Sequence, residues 1–241
     1  MINQSNNNLD SIIESRYSTR DFTDQPVSKY TISEILRVSS SAPSGNNIQP
    51  WKVYVLDGKV KDSLISKVCA AHNEINNNPE LANNYTWSYE YYPTKWIHPY
   101  SDRRRENALG FYKTLNIDRK EKEKTHAQHQ KNFQFFGAPI GLMFTINRIL
   151  NLGSFLDYGM FLQNIMLAAK SKGLDTCVQA AWNQYSNIIM PHIGANEDEI
   201  LICGMSLGWA DNTSMINSYR PTRAPVNEFT VWLSENNEEI K

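Results

Sequence analysis

The sequence predicts an α+β fold in which helices cover one central sheet. Short β-rich segments alternate with longer segments of helical period along the 241 residues. The composition, with 41% hydrophobic and 20% charged residues, is typical of a globular chain that buries a sizeable core without disulfides or a metal. The sequence contains neither an internal repeat nor a linker-like stretch. We therefore expect a single domain over residues 1–241.

The N-terminal part of the sequence predicts a disordered start and two helices. Residues 1–8 are polar and Asn-rich, and we expect them to be disordered. Asp10 is a suitable cap for a short helix that runs into Arg16. The spacing of Thr31-Ile-Ser-Glu34 is that of a capping box, so a second helix should begin there and end by Pro43.

Local composition predicts the remaining elements. β-rich runs predict strands over 51–56, 138–145, 176–181 and 200–206, and a strand-like segment, Phe229–Leu233, in a long tail over 212–241. Helical period predicts helices over 59–76, 102–115, 119–135 and 153–172. Residues 77–101 sustain no period and are rich in Asn, Pro, Tyr and Trp, which predicts a long excursion of the kind that forms lids.

The helix predicted over 153–172 is unusual because apolar residues occur on nearly every side of it. Such a helix must be buried on both faces, in a core or at a subunit interface. Its most apolar stretch, 155–169, is interrupted by Asp157, Gln163 and Asn164 and is too short and too polar to span a bilayer.

Charge and cysteine content restrict the function classes. The formal net charge is −1, which argues against nucleic acid as the main partner, so an anionic ligand would need a local cluster of cations. The three cysteines, Cys69, Cys177 and Cys203, are far apart, which argues against a disulfide framework or a zinc knuckle. The N-terminus lacks an apolar signal core. We expect a cytoplasmic protein without a membrane segment.

Three segments carry residues that could bind a ligand. Arg16-Tyr17-Ser18-Thr19-Arg20 combines forked cationic donors with hydroxyls, which suits a phosphate or a polyol but is also the composition of a solvated turn. The polar loop over 42–51 can bring backbone and side-chain amides to the edge of a heterocycle, or simply connect a helix to a strand. The tail segment over 217–225 holds Arg223 between two prolines, as an anion contact or as a surface residue of an extended arm.

Taken together, these segments resemble the FMN-dependent nitroreductase family over most of the chain. The shared features occur in the same order: Arg-x-Ser-x-Arg at 16–20, Ala-Pro-Ser-x-x-Asn-x-Gln-Pro-Trp at 42–51, Gly-Leu-Asp-Thr-Cys at 173–177, Gly-Met-Ser-Leu-Gly-Trp-Ala-Asp at 204–211, and Arg-x-x-Arg-x-Pro at 220–225. Residues 132–142 also resemble the nitrobenzoate-reductase-like branch of the family.

The resemblance implies a central mixed or antiparallel sheet flanked by helices in an intertwined homodimer. The arm over 212–241 would reach the partner subunit, where residues 229–233 would add a strand. The apolar helix over 155–169 would form the core of the dimer interface. Two FMN sites would lie between the subunits.

The resemblance also implies roles for residues at the FMN site. Arg16, Ser18 and Arg223 would hold the phosphate and the ribityl chain. Arg20 would lie near flavin N1 and O2, where a cation stabilises the reduced form. Ser44 and Asn47 would come from the other subunit.

Residues 179–181 would lie along the flavin ring, with a backbone N–H directed at N5. The full set of cofactor-binding residues that the resemblance predicts is Arg16, Tyr17, Ser18, Arg20, Pro43, Ser44, Gly45, Asn47, Gln179, Ala180, Ala181, Arg220 and Arg223. Val178, Ala180 and Pro221 depart from residues that are common in the family, which affects the substrate and nicotinamide geometry more than flavin binding.

The implied activity is ping-pong transfer of hydride from NAD(P)H to a small acceptor such as a nitroaromatic or a quinone. No catalytic side chain is expected, because the flavin carries the chemistry. Two alternatives stay open: another flavin reaction on this fold, such as reductive dehalogenation, alkene reduction or ring dehydrogenation, and a flavin-binding protein without turnover. The aromatic residues at 85–96 would line the acceptor pocket or pack the excursion itself.

Three further signals favour structural interpretations. His126-x-x-His129 lacks a well-spaced third ligand, which favours a solvated helix face over a metal site. Cys177 is expected to be a small buried hydrophobe. The run Arg103-Arg104-Arg105 predicts a charged helix start or a dimer contact. We predict no metal.

Overall fold

The computed structural model describes residues 6–85, 87–118 and 120–233. The helices are α1 (Asn6–Ser15), α2 (Lys29–Ser39), α3 (Gly58–Asn77), α4 (Tyr100–Thr114), α5 (Lys122–Gln130), α6 (Leu152–Lys170) and α7 (Ser186–His192). The strands are β1 (Lys52–Leu56), β2 (Ile140–Asn147), β3 (Asp175–Gln179) and β4 (Glu199–Gly208). This alternation confirms the predicted α+β class.

The four strands form an antiparallel sheet in the order β1-β2-β4-β3. β2 and β4 occupy the centre and are almost wholly buried, while β1 and β3 form the edges. Of the two predicted forms of the sheet, the antiparallel one is therefore correct for the described strands. A parallel bridge joins Ser18 to Thr176 of β3, and it attaches the first candidate binding segment to the edge of the sheet.

The sheet separates two apolar clusters, because successive side chains of a buried strand point to opposite faces. Leu142 and Phe144 of β2 belong to the cluster that includes α2 and α6, whereas Met143 belongs to the cluster that includes α3 and α7. Gly204 of β4 permits a close approach in the second cluster. A Cβ atom there would lie 2.4 Å from Cδ1 of Trp182, so the missing side chain lets the indole pack against β4.

The first two helices begin earlier than the sequence predicts. α1 begins at Asn6, whereas disorder was expected up to residue 8 and a cap at Asp10; residues 1–5 lie outside the described part of the chain. α2 begins at Lys29, because the Oγ atom of Ser28 accepts the Thr31 N–H at 3.0 Å and caps the helix ahead of the predicted capping box. It ends before Pro43, as predicted.

The segment between α4 and β2 also differs from the prediction. The helix expected over 119–135 is shorter and ends at Gln130. The turn that follows contains Phe135 and Phe136 at φ angles of 49° and 53°, in the left-handed region that a continuing α-helix cannot use. Between α3 and α4, the described residues contain one stretch of 3-10 helix, Pro79–Asn84, and are otherwise irregular, which agrees with the missing period over most of 77–101.

α6 packs one side against the sheet and leaves another uncovered. Phe161 and Ile165 are buried in the core, but Leu152 and Leu156 are 84% and 72% exposed. The predicted burial on both faces is therefore incomplete within one chain. Residues 229–233 are not paired with any strand of the described sheet, and their apolar side chains are exposed. None of the described helices is long and apolar enough to cross a membrane.

His72 packs against His126 and His129, the two histidines for which the sequence predicts a solvated helix face. His72 of α3 is 9% exposed, and its ring stacks on His126 of α5 with centroids 4.3 Å apart. Its Nε2 atom lies 3.0 Å from Nδ1 of His129. The helix face that carries the two histidines is therefore packed against α3. Among the described residues, no group of three or more His, Cys, Asp or Glu side chains could hold a metal ion.

The folded protein disfavours a proton on His72. Burial, followed by the charges of His129 and His126, lowers the pKa of His72 from 6.5 to about 4. Its Nδ1 atom is buried and has no hydrogen-bond partner in the described structure, so a proton there would be an unsatisfied buried donor.

Acidification should therefore weaken the fold through His72. The stability that neutral His72 contributes to the fold is fully present above pH 6.5 and is lost as the pH falls toward its folded pKa of about 4. The reason is that His72 binds a proton more readily in the unfolded chain than in the folded one. We expect His72→Phe to remove up to about 2 kcal/mol of the pH dependence of the free energy of unfolding in this window, after allowance for partial solvent access. Urea unfolding at several pH values in the window measures the difference.

The matched control is His98→Phe, because the His98 side chain is 83% exposed. A wild-type pH dependence in the His72 variant would contradict the prediction, and so would an equal change in the His98 variant.

Candidate functional site

Residues 16–22, which we call the N-terminal strap, connect α1 to the edge of the sheet. The Thr19 N–H donates to the Thr176 carbonyl at 3.1 Å, beside the bridge from Ser18. The Phe22 N–H donates to the Phe136 carbonyl at 3.2 Å. Thr19 and Phe22 are buried, so the middle and the C-terminal end of the strap are fixed against the body of the protein.

Arginines from the two ends of the chain meet at the strap. Partial burial and then the charge of Arg223 in the tail lower the pKa of Arg16. Arg220 lies over the Tyr17 ring, with its Cζ atom 3.5 Å from the ring centroid. Nζ of Lys170 on α6 lies 5.4 Å from the same centroid. The structure therefore brings together the predicted phosphate-binding residues of the strap and of the tail.

We call Arg16, Arg20, Arg220 and Arg223 the arginine cluster. Within the described part of the chain, none of the four forms an ion pair with a carboxylate. The Nη1 atoms of Arg220 and Arg223 donate to backbone carbonyls of the tail. Cations that lie close together without counter-charges repel one another. Their guanidinium groups also offer the forked N–H donors that bind phosphate. The cluster therefore indicates a site for an external anion.

A cavity of about 670 Å³ opens beside this cluster. Its lining comes from α1, the strap, α6 and the tail: Ile13, Glu14, Arg16, Tyr17, Gln163, Arg220, Pro221 and Arg223. A volume of this size accommodates a cofactor-sized ligand. Three arginines against one carboxylate leave the lining net positive.

Arg20 is held by the strap, the tail and α4. Its N–H donates to Oδ1 of Asn217 at 2.8 Å, and its Nη1 donates to the Ser18 carbonyl at 3.2 Å. Its guanidinium lies 5.2 Å from the centroid of the Phe111 ring. An aromatic face stabilises the guanidinium without neutralising it, so its charge remains available to a ligand.

Sequence reasoning missed two residues at this site. Asn217 is 5% exposed and bonds to the strap, and the available signal was its place in the tail motif that contains Arg220. Phe111 belongs to α4, whose sequence predicts a charged helix without an apolar face, so no local signal connected it to Arg20.

Cys177 lies in β3 next to the strap. It is a free thiol with 3% exposure. Burial raises its pKa to about 11, against smaller opposing effects from Arg20, Ser18 and Arg16. The thiol therefore stays protonated at neutral pH, and the prediction of a small buried hydrophobe is confirmed.

The second predicted segment, Pro43–Asn47, does not reach the arginine cluster. Asn46 and Asn47 adopt φ angles of 50° and 57°, and the Gly45 N–H donates to Oδ2 of Asp157 on α6 at 3.2 Å. Among the described residues, this turn makes no hydrogen bond to the cluster. The predicted contributions of Pro43, Ser44, Gly45 and Asn47 are therefore absent from the site formed by a single chain.

Residues 179–181, which the resemblance predicts along the flavin ring, are only partly accessible. β3 ends at Gln179, and Ala180 and Ala181 begin a 3-10 turn, so the predicted strand extends too far. The Gln179 side chain is buried, because its Nε2 donates to the Asn132 carbonyl at 2.6 Å and its Oε1 accepts from Ser206 Oγ at 2.8 Å. This side chain is unavailable to a ligand, whereas Ala180 and Ala181 are partly exposed.

The aromatic residues of the excursion serve two purposes. The Tyr89 hydroxyl donates to the Ile202 carbonyl at 2.7 Å and so fastens the excursion to β4. Tyr91 and Tyr92 are 51% and 56% exposed, and Tyr92 contacts Trp96 with ring centroids 5.8 Å apart. The excursion is therefore packed at one position and presents aromatic rings at others.

The arginine run at the start of α4 makes contacts within the chain. Arg103 pairs with Glu228 of the tail at 2.9 Å. Arg104 lies 5.1 Å from the centroid of the Trp96 ring. The predicted charged helix start is confirmed, and the run also connects α4 to the tail and to the excursion.

Comparison with known proteins places this geometry in context. A family model described as "Nitroreductase family" matches residues 13–209. The chain is 35% identical over 227 residues to a nitrobenzene nitroreductase from Ectopseudomonas oleovorans, an alignment that covers 94% of this chain and 97% of that protein. It is 36% identical over 225 residues to a 4-nitrobenzoate reductase from Pseudomonas putida, with coverage of 93% and 95%.

The fold is also similar to a solved structure, the FMN-dependent nitroreductase NfnB from Mycobacterium smegmatis in complex with NADPH. The TM-score is 0.89 at 26% identity, with coverage of 96% of this chain and 100% of that chain. The family model spans most of the chain. The nitrobenzene nitroreductase and the 4-nitrobenzoate reductase are both more than 30% identical to this chain over nearly their whole length. The chain therefore belongs to the nitroreductase family.

Proposed function

We propose that this protein is an FMN-dependent oxidoreductase that uses NAD(P)H to reduce a small acceptor such as a nitroaromatic or a quinone. The observation that carries the proposal is the arginine cluster, which has no carboxylate ion pair within the described residues. Arg16, Arg220 and Arg223 of the cluster line a cavity of about 670 Å³. Family membership and similarity to NfnB, an FMN-dependent enzyme in complex with NADPH, support the choice of cofactor and reductant.

The residues at the cavity fit the phosphate end of FMN. A phosphate monoester carries a charge of about −1.5 to −2 at pH 7, which Arg16 and Arg223 together balance. Ser18 of the strap and Arg220 of the tail would add hydrogen bonds, and the Tyr17 ring would pack against the guanidinium of Arg220. The bound anion would also remove the repulsion from Arg223 that helps lower the pKa of Arg16.

When bound, FMN would accept hydride from NAD(P)H and, after the nicotinamide leaves, deliver it to the acceptor, which is a ping-pong sequence. Arg20 would lie near N1 and O2 and stabilise the reduced form through its charge. Residues 179–181 would contribute backbone along the ring and a backbone N–H toward N5, since the Gln179 side chain is bonded internally. No side-chain nucleophile is required.

We further propose that the working unit is a homodimer. Leu152 and Leu156 leave an apolar side of α6 uncovered, and residues 229–233 present a second apolar surface at the end of the described tail. Leu152 and Leu156 are one helical turn apart, and neighbouring exposed apolar residues support an interaction site. The arm over 212–241 would reach the partner subunit, and the turn Pro43–Asn47 would complete the partner's FMN site.

The remaining parts of the domain over 1–241 fit this function. The excursion over 77–101 would act as a lid, in which Tyr91 and Tyr92 stack on a planar acceptor. The free thiols of Cys69, Cys177 and Cys203 support a reducing, cytoplasmic location.

The first test is anaerobic reduction of the FMN-loaded protein. NADPH or NADH should bleach the visible flavin absorption, and a nitroaromatic or a quinone added afterwards should restore it. Bound FMN that neither coenzyme reduces would contradict the proposal and favour a binding protein without turnover. Reoxidation by halogenated or alkene acceptors alone would favour another flavin reaction.

The second test addresses the phosphate assignment. Arg223→Ala should weaken FMN binding by about 10- to 100-fold, because it removes a charge-assisted contact of about 1.5–3 kcal/mol. The free energy of unfolding should change by less than about 1 kcal/mol, since the side chain is exposed. Fluorescence titration with FMN measures the loss, and Arg37→Ala on α2 is the control. Unchanged affinity would show that Arg223 does not hold the phosphate.

The third test addresses the subunit interface. Leu156→Glu should shift the protein toward monomer, because it places a charge on the uncovered side of α6. Val60→Glu is the matched control, as Val60 is an exposed apolar residue of another helix, α3. Sedimentation velocity measures the shift. An unchanged dimer in the Leu156 variant would refute this interface.

A further inference from the structure

We propose that Asn217 is a positioning residue that aligns both ends of the FMN site, an inference that rests on the function proposed above. Asn217 lies in the 3-10 turn Met215–Ser218 of the tail and is 5% exposed. Its hydrogen bonds reach the strap, the segment after β4 and a guanidinium of the arginine cluster. It therefore connects the two ends of the site without lining the cavity.

The carboxamide of Asn217 is fully engaged. Oδ1 accepts the Arg20 N–H at 2.8 Å, and Nδ2 donates to the carbonyls of Asp21 at 2.7 Å and Asp211 at 2.9 Å. An amide supplies one acceptor and two donors from one planar group, which a carboxylate or a hydroxyl of similar size does not. The bonds to Arg20 and Asp21 hold the backbone at Arg20, from which the side chain beside Phe111 extends, and the bond to Asp211 anchors Asn217 to the segment after β4.

The backbone of the same residue holds the other end of the site. The Asn217 carbonyl accepts from Nη1 of Arg220 at 2.6 Å, while the guanidinium lies over the Tyr17 ring. A displacement of Asn217 would therefore move Arg20 and Arg220 together. In the proposed site, these are the cations at the ring end and at the phosphate end of FMN, so Asn217 sets the distance between them.

Ser214 distinguishes positioning from simple anchoring. Its Oγ donates to Oδ2 of Asp21 at 2.7 Å, so it also joins the tail to the strap, but this bond involves neither Arg20 nor Arg220. If the tail merely needs anchoring, loss of either side chain should loosen the strap to a similar extent. If Asn217 positions the cations, its loss should affect FMN much more than the loss of Ser214.

The test compares Asn217→Asp, Asn217→Ala and Ser214→Ala with the wild type. The Asp variant keeps the shape and the acceptor but loses both N–H donors, and the Ala variant removes the amide without adding a buried charge. Urea unfolding identifies conditions in which each variant is folded. Fluorescence titration then gives the Kd for FMN and for riboflavin, which lacks the phosphate, and a redox titration gives the midpoint potential of bound FMN.

We expect both Asn217 variants to raise the FMN Kd by about tenfold or more, as expected for lost hydrogen bonds to backbone groups of a charged site. The riboflavin Kd should rise less, because riboflavin does not use the phosphate end. The midpoint potential should fall, because the reduced form loses part of the stabilisation from Arg20. Ser214→Ala should leave the FMN Kd within about twofold of the wild type, because its hydrogen bond to Asp21 involves neither Arg20 nor Arg220.

Two results would overturn the positioning role while wild-type FMN binding stands. One is wild-type affinity and potential in folded Asn217→Ala, and the other is equal weakening by Ser214→Ala. If the buried carboxylate prevents Asn217→Asp from folding, the FMN affinity and midpoint potential of Asn217→Ala decide between the two roles. A wild-type protein that binds neither FMN nor riboflavin would instead refute the proposed function, and this inference with it.

Discussion

Repulsion among like charges is the constraint on which the candidate site depends. Arg16 and Arg223 come from opposite ends of the chain, yet partial burial and then the charge of Arg223 lower the pKa of Arg16. Without a counter-charge, such a pair opposes the fold that holds it. A bound phosphate would convert the repulsion into two attractions, so a pair of guanidinium groups favours an anion over a neutral ligand.

The fold resists this repulsion with contacts that join distant parts of the sequence. The strap is bonded to β3 through Thr176, the tail is bonded to the strap through Asn217, and the Tyr17 ring packs against the Arg220 guanidinium. These contacts lie at an edge of a sheet whose central strands are buried. The cations are therefore placed by tertiary structure, and a ligand that holds them together should also stabilise the folded chain.

Local patterns in the sequence predicted much of this structure. The order of elements follows from periodicity and turn residues, which act over short distances. The mixed or antiparallel sheet and the meeting of strap and tail were implied by the family resemblance. The contacts of Phe111 with Arg20 and of His72 with His126 could not be predicted, because they join residues far apart in the chain. Gln179 is a different case. Since Cys177 is buried and strand residues alternate between faces, the same face could have been assigned to Gln179.

The turn Pro43–Asn47 and the uncovered side of α6, which the proposed dimer would cover, are connected to one another. The turn Pro43–Asn47 is bonded through Gly45 to Asp157 of α6, the helix that also carries the uncovered residues Leu152 and Leu156. In the proposed dimer, a partner that covers α6 would fix this turn at the same time, and the turn would then contact the FMN of the partner. Cofactor binding and association would draw on the same helix, so each would strengthen the other by mass action. In that dimer, the coupling would account for the buried carboxylate of Asp157 among the apolar residues of α6, because Asp157 would hold the turn beside the surface on which the partner docks.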